Sequence, residues 1–585
     1  MKQFPLYITI FSIIINVLNI ITGSIYLANP SNSLIWNING LFIIFTIMFN
    51  YFFLSFLNSK QLESPKQKSD IRILSYLYFV FSFLSFIVLF FVNFTGFTPV
   101  KSINVIFSVA IVLSLLFLFS FPAFISLYWL VKKRRIKDQL ENTEKEKEKE
   151  KEKGTIVCKI AKVILLILAL LGLSLGIVTS IIFFAPRMQN TFFFLLSVFV
   201  APAGIFIGLI VLNSSSTLIN ISNKRSKYFK AKIALIAVFG LTFTSLSFVP
   251  VAYTPYTIKQ AELEFSNAFN PYFDGDWKKV IENSSFTDYF LDDPFQLTGY
   301  FFGIGKFDVQ VITDVLYFNG SKSNYSVDKD IKLYFDAYLP KQTSETLPGK
   351  NSTIIRIHGG GWVLGDKGQL NVQMMNRYLA AQGYCVFDIQ YGLNNETPVF
   401  GKLKIGPENV YGQFTIDDMI RQIGNFTFYL EEHAEEYGAN LDKVFISGSS
   451  AGGQLALATA LSIDSGNYTE IFSNKLRIKG IIPYYPANNV KYEFATKSKD
   501  EWVNPSILIN ESSPPCLIFQ GEKDRLIEES EIIKNAYLGT GKTDCALLTF
   551  PYAGHAADIY FPGYFNQVFL YYLERFLYLY GSYKS

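Results

Sequence analysis

Residues 443–453 read Lys-Val-Phe-Ile-Ser-Gly-Ser-Ser-Ala-Gly-Gly, a short apolar run that ends in a glycine-rich turn. The run has the length and β-branched content of a buried strand, and the Ala- and Leu-rich residues 454–461 are typical of a buried helix. A Gly-x-Ser-x-Gly turn between a strand and a helix holds its serine in a strained, exposed position, and small neighbours allow close backbone approach. This stretch therefore predicts a nucleophile elbow with Ser450 as the nucleophile.

A second glycine-rich motif, His-Gly-Gly-Gly-Trp at residues 358–362, follows another strand-like run upstream of Ser450. Glycine allows backbone N–H groups to approach a bound ester and to stabilise the negative oxygen of a tetrahedral intermediate. We therefore predict an oxyanion hole formed by the N–H groups of Gly360, Gly361 and Ala451.

A serine nucleophile also needs a base, and in this arrangement the base follows the serine along the chain. The chain contains only three histidines. His358 belongs to the glycine motif and His433 to a polar helical stretch, and both precede Ser450. His555, in a loop after the strand-like residues 546–551, is therefore the predicted base.

The acid that orients this base is predicted from residues 514–524, where a buried-strand pattern ends in Gly-Glu-Lys-Asp. Asp524 projects from the loop at the end of the strand, and Glu522 and Glu528 are the alternatives. In the predicted chemistry the serine attacks an ester carbonyl, while the histidine takes the serine proton and later returns it to the leaving alcohol.

Residues from about 308 to 580 resemble the α/β-hydrolase fold, and within it the hormone-sensitive-lipase-like and related carboxylesterase group. The hallmark of that group is His-Gly-Gly-Gly together with Gly-x-Ser-Ala-Gly-Gly. The resemblance implies a cofactor-independent serine esterase that acts on acyl esters, often lipophilic ones. Two positions depart from the group's pattern, since Ser449 replaces a common Asp and Gly392 replaces the Arg of a Tyr-Arg-Leu sequence.

The strand pattern predicts the same fold independently of these motifs. Eight apolar, β-rich runs are mostly separated by helix-capable stretches, which predicts a mostly parallel eight-stranded sheet with helices on both faces over residues 308–585. Residues 255–307 are predicted to be a lead-in or a cap over the pocket. The eight runs are 309–318, 331–339, 353–357, 384–390, 443–447, 478–485, 516–520 and 546–551.

The first half of the chain has a different composition. Aromatic residues make up 17% of the 585 residues and the mean hydropathy is +0.25, which is unusually apolar for a soluble enzyme. The excess lies before residue 255, in runs long enough to span a bilayer and without an amphipathic face. Residues 1–254 are therefore predicted to be a membrane domain with about seven transmembrane helices. The runs are 5–27, 34–57, 73–92, 103–131, 163–185, 191–212 and 233–253.

Basic residues indicate how this domain is oriented. They cluster in 60–72, 132–137 and 224–232, whereas the alternate loops hold almost none. Since cytosolic loops are enriched in Lys and Arg, we predict a cytosolic amino terminus, a charged cytosolic linker at 132–162 and a lumenal or extracellular hydrolase half. The first run is alternatively a cleaved signal peptide, which leaves the side of the hydrolase half unchanged.

Glycosylation sequons are compatible with this topology. Most lie in the hydrolase half, and Asn93 lies in a loop predicted to face outward, although Asn213 and Asn220 near the cytosolic side show that chance also produces the pattern. The sequons of the hydrolase half are at Asn283, Asn319, Asn324, Asn351, Asn395, Asn425, Asn467 and Asn510.

The remaining features exclude several kinds of site. No zinc-ligand spacing, phosphate-binding loop or nucleic-acid motif occurs, so no metal, cofactor or nucleic-acid partner is predicted. Cys385, Cys516 and Cys545 are predicted to be buried free thiols. The predicted function is hydrolysis of a small-molecule or lipid ester at a membrane. The alternatives are acyl transfer through the same acyl-enzyme, and a non-enzymatic hydrolase-fold ectodomain of a membrane receptor.

Overall fold

The computed structural model divides the chain into two compact units, neither of which is continuous in sequence. The helical unit comprises Met1–Ala185, Ala203–Tyr253 and Phe295–Gly305, and the sheet unit comprises Pro186–Pro202, Thr254–Pro294 and Lys306–Ser585. The sequence-based division at residues 254 and 307 uses contiguous domains. It therefore does not contain the two exchanged segments, which are Pro186–Pro202 in the sheet unit and Phe295–Gly305 in the helical unit. The structure describes residues 4–30, 33–59, 65–95, 101–135, 147–185, 191–222, 227–305, 307–341, 346–369, 372–395, 405–489, 495 and 497–583, so much of the Glu-Lys stretch at 141–153 lies outside the described residues.

The described residues form helices and strands whose order follows the chain. The helices are α1 (Phe4–Ala28), α2 (Leu34–Ser59), α3 (Pro65–Thr95), α4 (Lys101–Arg135), α5 (Lys147–Phe184), α6 (Thr191–Val200), α7 (Gly204–Ile221), α8 (Phe229–Ala252), α9 (Thr254–Phe269), α10 (Trp277–Glu282), α11 (Leu297–Phe302), α12 (Val372–Ala381), α13 (Ile416–Tyr437), α14 (Ala451–Ser465), α15 (Asp500–Val503), α16 (Ile527–Gly539) and α17 (Tyr564–Tyr578). The strands are β1 (Gln310–Asn319), β2 (Lys332–Leu339), β3 (Ser352–Ile357), β4 (Cys385–Ile389), β5 (Leu393–Asn394), β6 (Tyr411–Gly412), β7 (Asn440–Ser449), β8 (Ile478–Tyr484), β9 (Cys516–Gly521) and β10 (Cys545–Phe550).

Within the described ranges, seven helices are long and apolar enough to cross a membrane, as the sequence predicts. The sixth differs in its bounds, because the predicted run 191–212 is divided at Ala201–Ala203 into α6 and α7. Pro202 lies in this turn and has no N–H group to continue a helical hydrogen-bond ladder. The candidate span therefore begins at Gly204, and α6 belongs to the sheet unit.

Polar side chains connect the helices inside the helical unit. Asn16 of α1 and Asn50 of α2 exchange hydrogen bonds of 2.9 Å, and the Asn19 amide donates to Thr46 at 2.8 Å. Buried amides need such partners because a hydrocarbon environment offers none. These pairs fix the contact between α1 and α2.

The segment Phe295–Gly305, predicted as part of a lead-in or cap, packs inside the helical unit. Its helix α11 is buried throughout. Asn37 near the start of α2 bonds to two of its backbone groups at 2.7 Å, and the Tyr26 hydroxyl near the end of α1 donates to the Gly303 carbonyl at 2.7 Å. The segment therefore holds the ends of α1 and α2 together.

Asn93, near the end of α3, also bonds to this segment. Its side chain is 3% exposed, and the amide nitrogen donates to the Leu89 and Phe301 carbonyls at 2.9 and 3.0 Å. Because a glycan needs a solvent-accessible amide nitrogen, the Asn93 sequon does not fit glycosylation in this structure.

In the described part of the sheet unit, eight strands form one sheet in the order β1-β2-β4-β3-β7-β8-β9-β10. All eight correspond to predicted strands, and only β2 pairs antiparallel with its neighbours, β1 and β4. The short strands β5 and β6 form a small separate sheet that the sequence does not reveal. The central strands read as mostly apolar runs because both of their faces are covered.

Helices cover the sheet on its faces and at one edge. Helix α9 lies beside the edge strand β10, where Glu264 accepts a 3.0 Å hydrogen bond from the Leu547 N–H group. An edge strand without such cover would present unpaired backbone groups to other chains. Of the cysteines whose side chains are described, Cys385, Cys516 and Cys545 are buried free thiols, as predicted.

Candidate active site

Ser450 lies where β7 ends and α14 begins, as the elbow motif predicts. Its backbone has φ 56° and ψ −119°, a strained conformation for a residue with a side chain. The turn is also crowded, since a Cβ atom at Gly448 would lie 2.1 Å from the Gly452 carbonyl oxygen. Glycines before and after the serine are therefore required for this turn to form.

The three side chains predicted to act together are in contact. His555 Nε2 is 3.0 Å from Ser450 Oγ, and His555 Nδ1 is 2.8 Å from Asp524 Oδ2. The Asp524 side chain is fully buried. The alternatives Glu522 and Glu528 are exposed, so the structure pairs the histidine with Asp524.

The second oxygen of Asp524 fixes the tautomer of the histidine. Oδ1 accepts a 3.1 Å hydrogen bond from the Leu526 N–H group, which leaves Oδ2 to accept the Nδ1 proton of His555. With the proton on Nδ1, the Nε2 lone pair points to the Ser450 hydroxyl. This geometry suits proton transfer from serine to histidine.

The glycine motif forms a tight loop next to Ser450. Gly360 and Gly361 have φ angles of 126° and 60°, and a Cβ atom at Gly360 would lie 1.8 Å from the Leu364 carbonyl oxygen. Among the described residues, the N–H groups of Gly360, Gly361 and Ala451 have no backbone acceptor. They are therefore available to a bound oxyanion.

Two side chains anchor this loop to α14 and to the residues that follow β4. The Trp362 indole N–H donates to Gln454 of α14 at 3.0 Å. The His358 ring stacks on Tyr391 with 4.4 Å between centroids, and burial lowers the pKa of His358. His358 is therefore a neutral packing residue of the loop.

The departure at Gly392 has a local explanation. The Gly392 N–H group donates to the Gln422 side chain at 2.8 Å, and a Cβ atom at Gly392 would lie 2.5 Å from the same oxygen. A longer side chain in the position of the group's usual Arg would displace Gln422.

A cavity of about 560 Å³ opens at Ser450 and His555. One wall comes from α6, whose Phe194 ring lies 4.8 Å from the His555 ring, while the Tyr485 ring contacts the imidazole edge-on at 4.5 Å. Sequence reasoning assigned Phe194 to a transmembrane run and did not identify it as a pocket residue. The only available signal was Pro202, which interrupts that run.

Contacts within the sheet unit hold α6 at the cavity. The Tyr564 hydroxyl donates to the Ala201 carbonyl at 2.5 Å, and the Arg525 guanidinium carbon lies 4.4 Å from the centre of the Phe194 ring. His433, by contrast, lies on the surface of α13, where it stacks on Tyr429 as a solvated helix residue. Among the described residues, no group of three or more His, Cys, Asp or Glu side chains is arranged to hold a metal ion.

Residues 354–511 match a family model described as alpha/beta hydrolase fold. The carboxyl-terminal part of this chain has the α/β-hydrolase fold. The acetyl esterase of Salmonella paratyphi B (strain ATCC BAA-1250 / SPB7) is 27% identical over 244 residues, which cover 37% of this chain and 67% of the relative. The acetyl esterase of Salmonella enteritidis PT4 (strain P125109) is 27% identical over 246 residues with the same coverage.

Solved structures of esterases are also similar to part of this chain. Thermogutta terrifontis esterase 2 phosphorylated by paraoxon is 23% identical, with a TM-score of 0.32 over 42% of this chain and 84% of that chain. A bacterial heroin esterase is 17% identical, with a TM-score of 0.34 over 46% of this chain and 84% of that chain.

Proposed function

We propose that this protein is a membrane-anchored serine hydrolase that cleaves carboxylic acyl esters through Ser450, His555 and Asp524. The observation that carries the proposal is the position of the His555 imidazole, which is 3.0 Å from the serine oxygen and 2.8 Å from a buried carboxylate. The similarity to acetyl esterases supports an ester as the substrate.

The reaction has two halves. As Ser450 Oγ bonds to the ester carbonyl carbon, its proton moves to His555 Nε2, and Asp524 stabilises the resulting imidazolium. The N–H groups of Gly360, Gly361 and Ala451 stabilise the oxyanion, and each such donor typically contributes about 100- to 1000-fold in rate.

When the tetrahedral intermediate collapses, the carbon–oxygen bond to the alcohol breaks and the alcohol takes the proton from Nε2. Water then attacks the acyl-enzyme with His555 as the base, which releases the acid and restores Ser450. Water is the acceptor in hydrolysis, so product analysis with a competing alcohol distinguishes hydrolysis from acyl transfer.

A fluorophosphonate probe tests the nucleophile directly, because the probe bonds covalently to an activated serine. We expect labelling and short-chain ester hydrolysis by the full chain in detergent, and neither by Ser450→Ala. Ser512→Ala, at an exposed loop serine, is the matched control and should label like the parent. Equal labelling of Ser450→Ala would refute the assignment, and an unlabelled, inactive parent would favour the non-enzymatic ectodomain.

We further propose that the helical unit crosses the membrane seven times, with the amino terminus in the cytosol and the catalytic site on the lumenal or extracellular side. Alternating crossings bring the end of α1, the start of α2 and the end of α3 to one side, which is also the side that α8 reaches. The contacts of Phe295–Gly305 with Tyr26, Asn37 and Asn93 support this topology, because they join those three helix ends.

Glycosylation in microsomes tests this orientation. Five sequons have exposed asparagines, and we expect a glycosidase-sensitive mass shift that disappears when all five are changed to Gln. Asn220→Gln, at a sequon predicted to face the cytosol, is the control and should not alter the shift. Digestion of the hydrolase half by protease added to sealed microsomes would contradict the proposal. The five exposed positions are Asn283, Asn324, Asn395, Asn467 and Asn510.

A further inference from the structure

The cavity at Ser450 contains a buried cation that the proposed reaction does not use. Arg356, the second-last residue of β3, lines the cavity, and its side chain is 7% exposed. Among the described residues, no carboxylate oxygen lies within 4.0 Å of the guanidinium nitrogens. A guanidinium carries five N–H donors, and that of Arg356 lies beside the Tyr484 side chain, with its carbon 5.7 Å from the ring centre. Because a buried cation without a carboxylate partner is costly, the side chain favours a ligand that brings further acceptors.

Two acidic residues line the same part of the cavity. Asp388 is the register partner of Arg356 on β4, and one of its oxygens accepts from the Gly368 N–H group and the Asn376 amide at 2.8 and 3.0 Å. Asp558 accepts a 2.7 Å hydrogen bond from the Tyr485 hydroxyl. Burial raises the pKa of both acids, while Arg356 favours their charged forms. A strong donor and two acceptors thus share one end of the cavity.

The distance between the Arg356 guanidinium and the two carboxyl groups indicates which kind of ligand fits between them. An anion would accept from Arg356 but would meet two carboxyl groups, whereas an ammonium group would bring no acceptor to the guanidinium. A hydroxyl group both donates and accepts, so it can bridge polar groups that are too far apart to bond directly, as an ordered water does. Neighbouring hydroxyls on one molecule would serve both acids.

We propose that this end of the cavity, defined by Arg356, Asp388 and Asp558, binds the free hydroxyl groups of a polyol. The inference rests on the proposed function, and it identifies the substrate as an acyl ester of a polyol. The substrate is then selected by hydroxyls on the alcohol as well as by its acyl chain.

The polyol is the alcohol part of the ester in this proposal because the polar end of the cavity adjoins the His555 ring through Tyr485. The Tyr485 ring contacts His555 at 4.5 Å, and its hydroxyl holds Asp558, three residues after the histidine. His555 returns its proton to the leaving oxygen, so the alcohol must lie beside it. The apolar side chains Leu364 and Leu526 of the same cavity remain for the acyl group.

Three butyrate esters that differ only in the alcohol test this inference on the full chain in detergent. Glycerol monobutyrate carries free hydroxyls, propyl butyrate has the same number of carbons without them, and O-butyryl glycolate carries an anion. We expect the parent to prefer the glycerol ester to the propyl ester by about tenfold or more in kcat/KM. Arg356→Met should lose about tenfold or more on the glycerol ester and less than twofold on the propyl ester, because only the former loses a charge-assisted hydrogen bond.

Fluorophosphonate labelling separates a failed fold from a failed inference. Arg356→Met should label at the parent rate, and if it does not fold, Asp558→Asn serves as the second variant with the same expected ratio. Equal losses on the glycerol and propyl esters, or the largest loss on the glycolate ester, would overturn the polyol site. Activity of Ser450→Ala on all three esters would instead overturn the proposed function itself.

Discussion

Replacing Asp524 by Asn tests how the buried carboxylate controls the histidine. The carboxylate oxygens accept from the Leu526 N–H group at 3.1 Å and from His555 Nδ1 at 2.8 Å. Asn has the same shape but only one acceptor oxygen. If that oxygen stays with Leu526, an N–H donor faces His555 Nδ1, and the imidazole must carry its proton on Nε2 instead. In that tautomer Nε2 cannot accept the proton of Ser450.

The expected loss follows from the two changes together. The wrong tautomer removes the base, and the missing charge no longer stabilises an imidazolium 2.8 Å away in a fully buried site. In a serine protease the equivalent change lowers kcat about 10⁴-fold. We expect Asp524→Asn to lower kcat about 10³- to 10⁴-fold, which corresponds to about 4–5.5 kcal/mol of activation free energy.

The assay is kcat for a short-chain acyl ester with the full chain in detergent at neutral pH. Glu528→Gln makes the same chemical change at an exposed position four residues further on and should stay within about twofold of the parent. Unfolding temperatures for both variants check that the fold is retained. A loss of less than tenfold in Asp524→Asn, or an equal loss in Glu528→Gln, would refute the assigned role.

Three further predictions concern the cavity. Phe194→Ala should lower kcat/KM for acyl esters about tenfold, because it removes the ring beside His555. Phe199→Ala changes an exposed residue on the same helix and should have no effect on kcat/KM. Similar kinetics for the two variants would contradict this prediction. Gly360→Ala should lower kcat at least about 100-fold, because its Cβ atom would lie 1.8 Å from a carbonyl oxygen and displace oxyanion donors. Its control is Gly466→Ala, which has a positive φ but no neighbour within 4 Å, and comparable losses of kcat would argue against the oxyanion role. Burial raises the pKa of Asp388 to about 6, so the folded protein keeps a proton that the unfolded chain releases near pH 4. The free energy of unfolding should therefore fall by up to about 3 kcal/mol from this group as the pH rises from 4 to 7. Unfolding temperatures measured over this range should show a decline in the parent that is smaller in Asp388→Asn, and parallel curves would contradict the shift.

The predicted catalytic residues were accessible from sequence because each follows a recognisable strand. Ser450 follows β7, Asp524 follows β9 and His555 follows β10 after a short loop. Parallel strands deliver their carboxyl ends to one edge of the sheet, so residues far apart in the chain meet there. The pattern of apolar runs and turns along the sequence was therefore enough to predict that these side chains lie close together.

The two exchanged segments were not accessible in this way. An apolar run such as 191–200 satisfies the composition of a transmembrane helix and of a pocket wall equally well, and hydropathy does not distinguish them. Pro202 was a weak signal for the break, because proline also occurs inside membrane helices. The segment Phe295–Gly305 carries no pattern that would assign it to the helical unit, since its contacts are individual hydrogen bonds to residues such as Tyr26 and Asn37.

The proposed catalytic residues and the residues that line the cavity therefore differ in how far the sequence predicts their positions. The proposed reacting groups come from strand ends whose positions follow from sheet topology. The cavity walls come from α6, from the turn after His555 and from Arg356, a single charge in the otherwise apolar end of β3. A charge within a strand is expensive to bury unless the fold gives it a partner, and here the described residues provide no carboxylate within 4.0 Å. We therefore expect related sequences that differ at the position of Arg356, just before the glycine motif, to differ in the alcohol part of the ester that they accept.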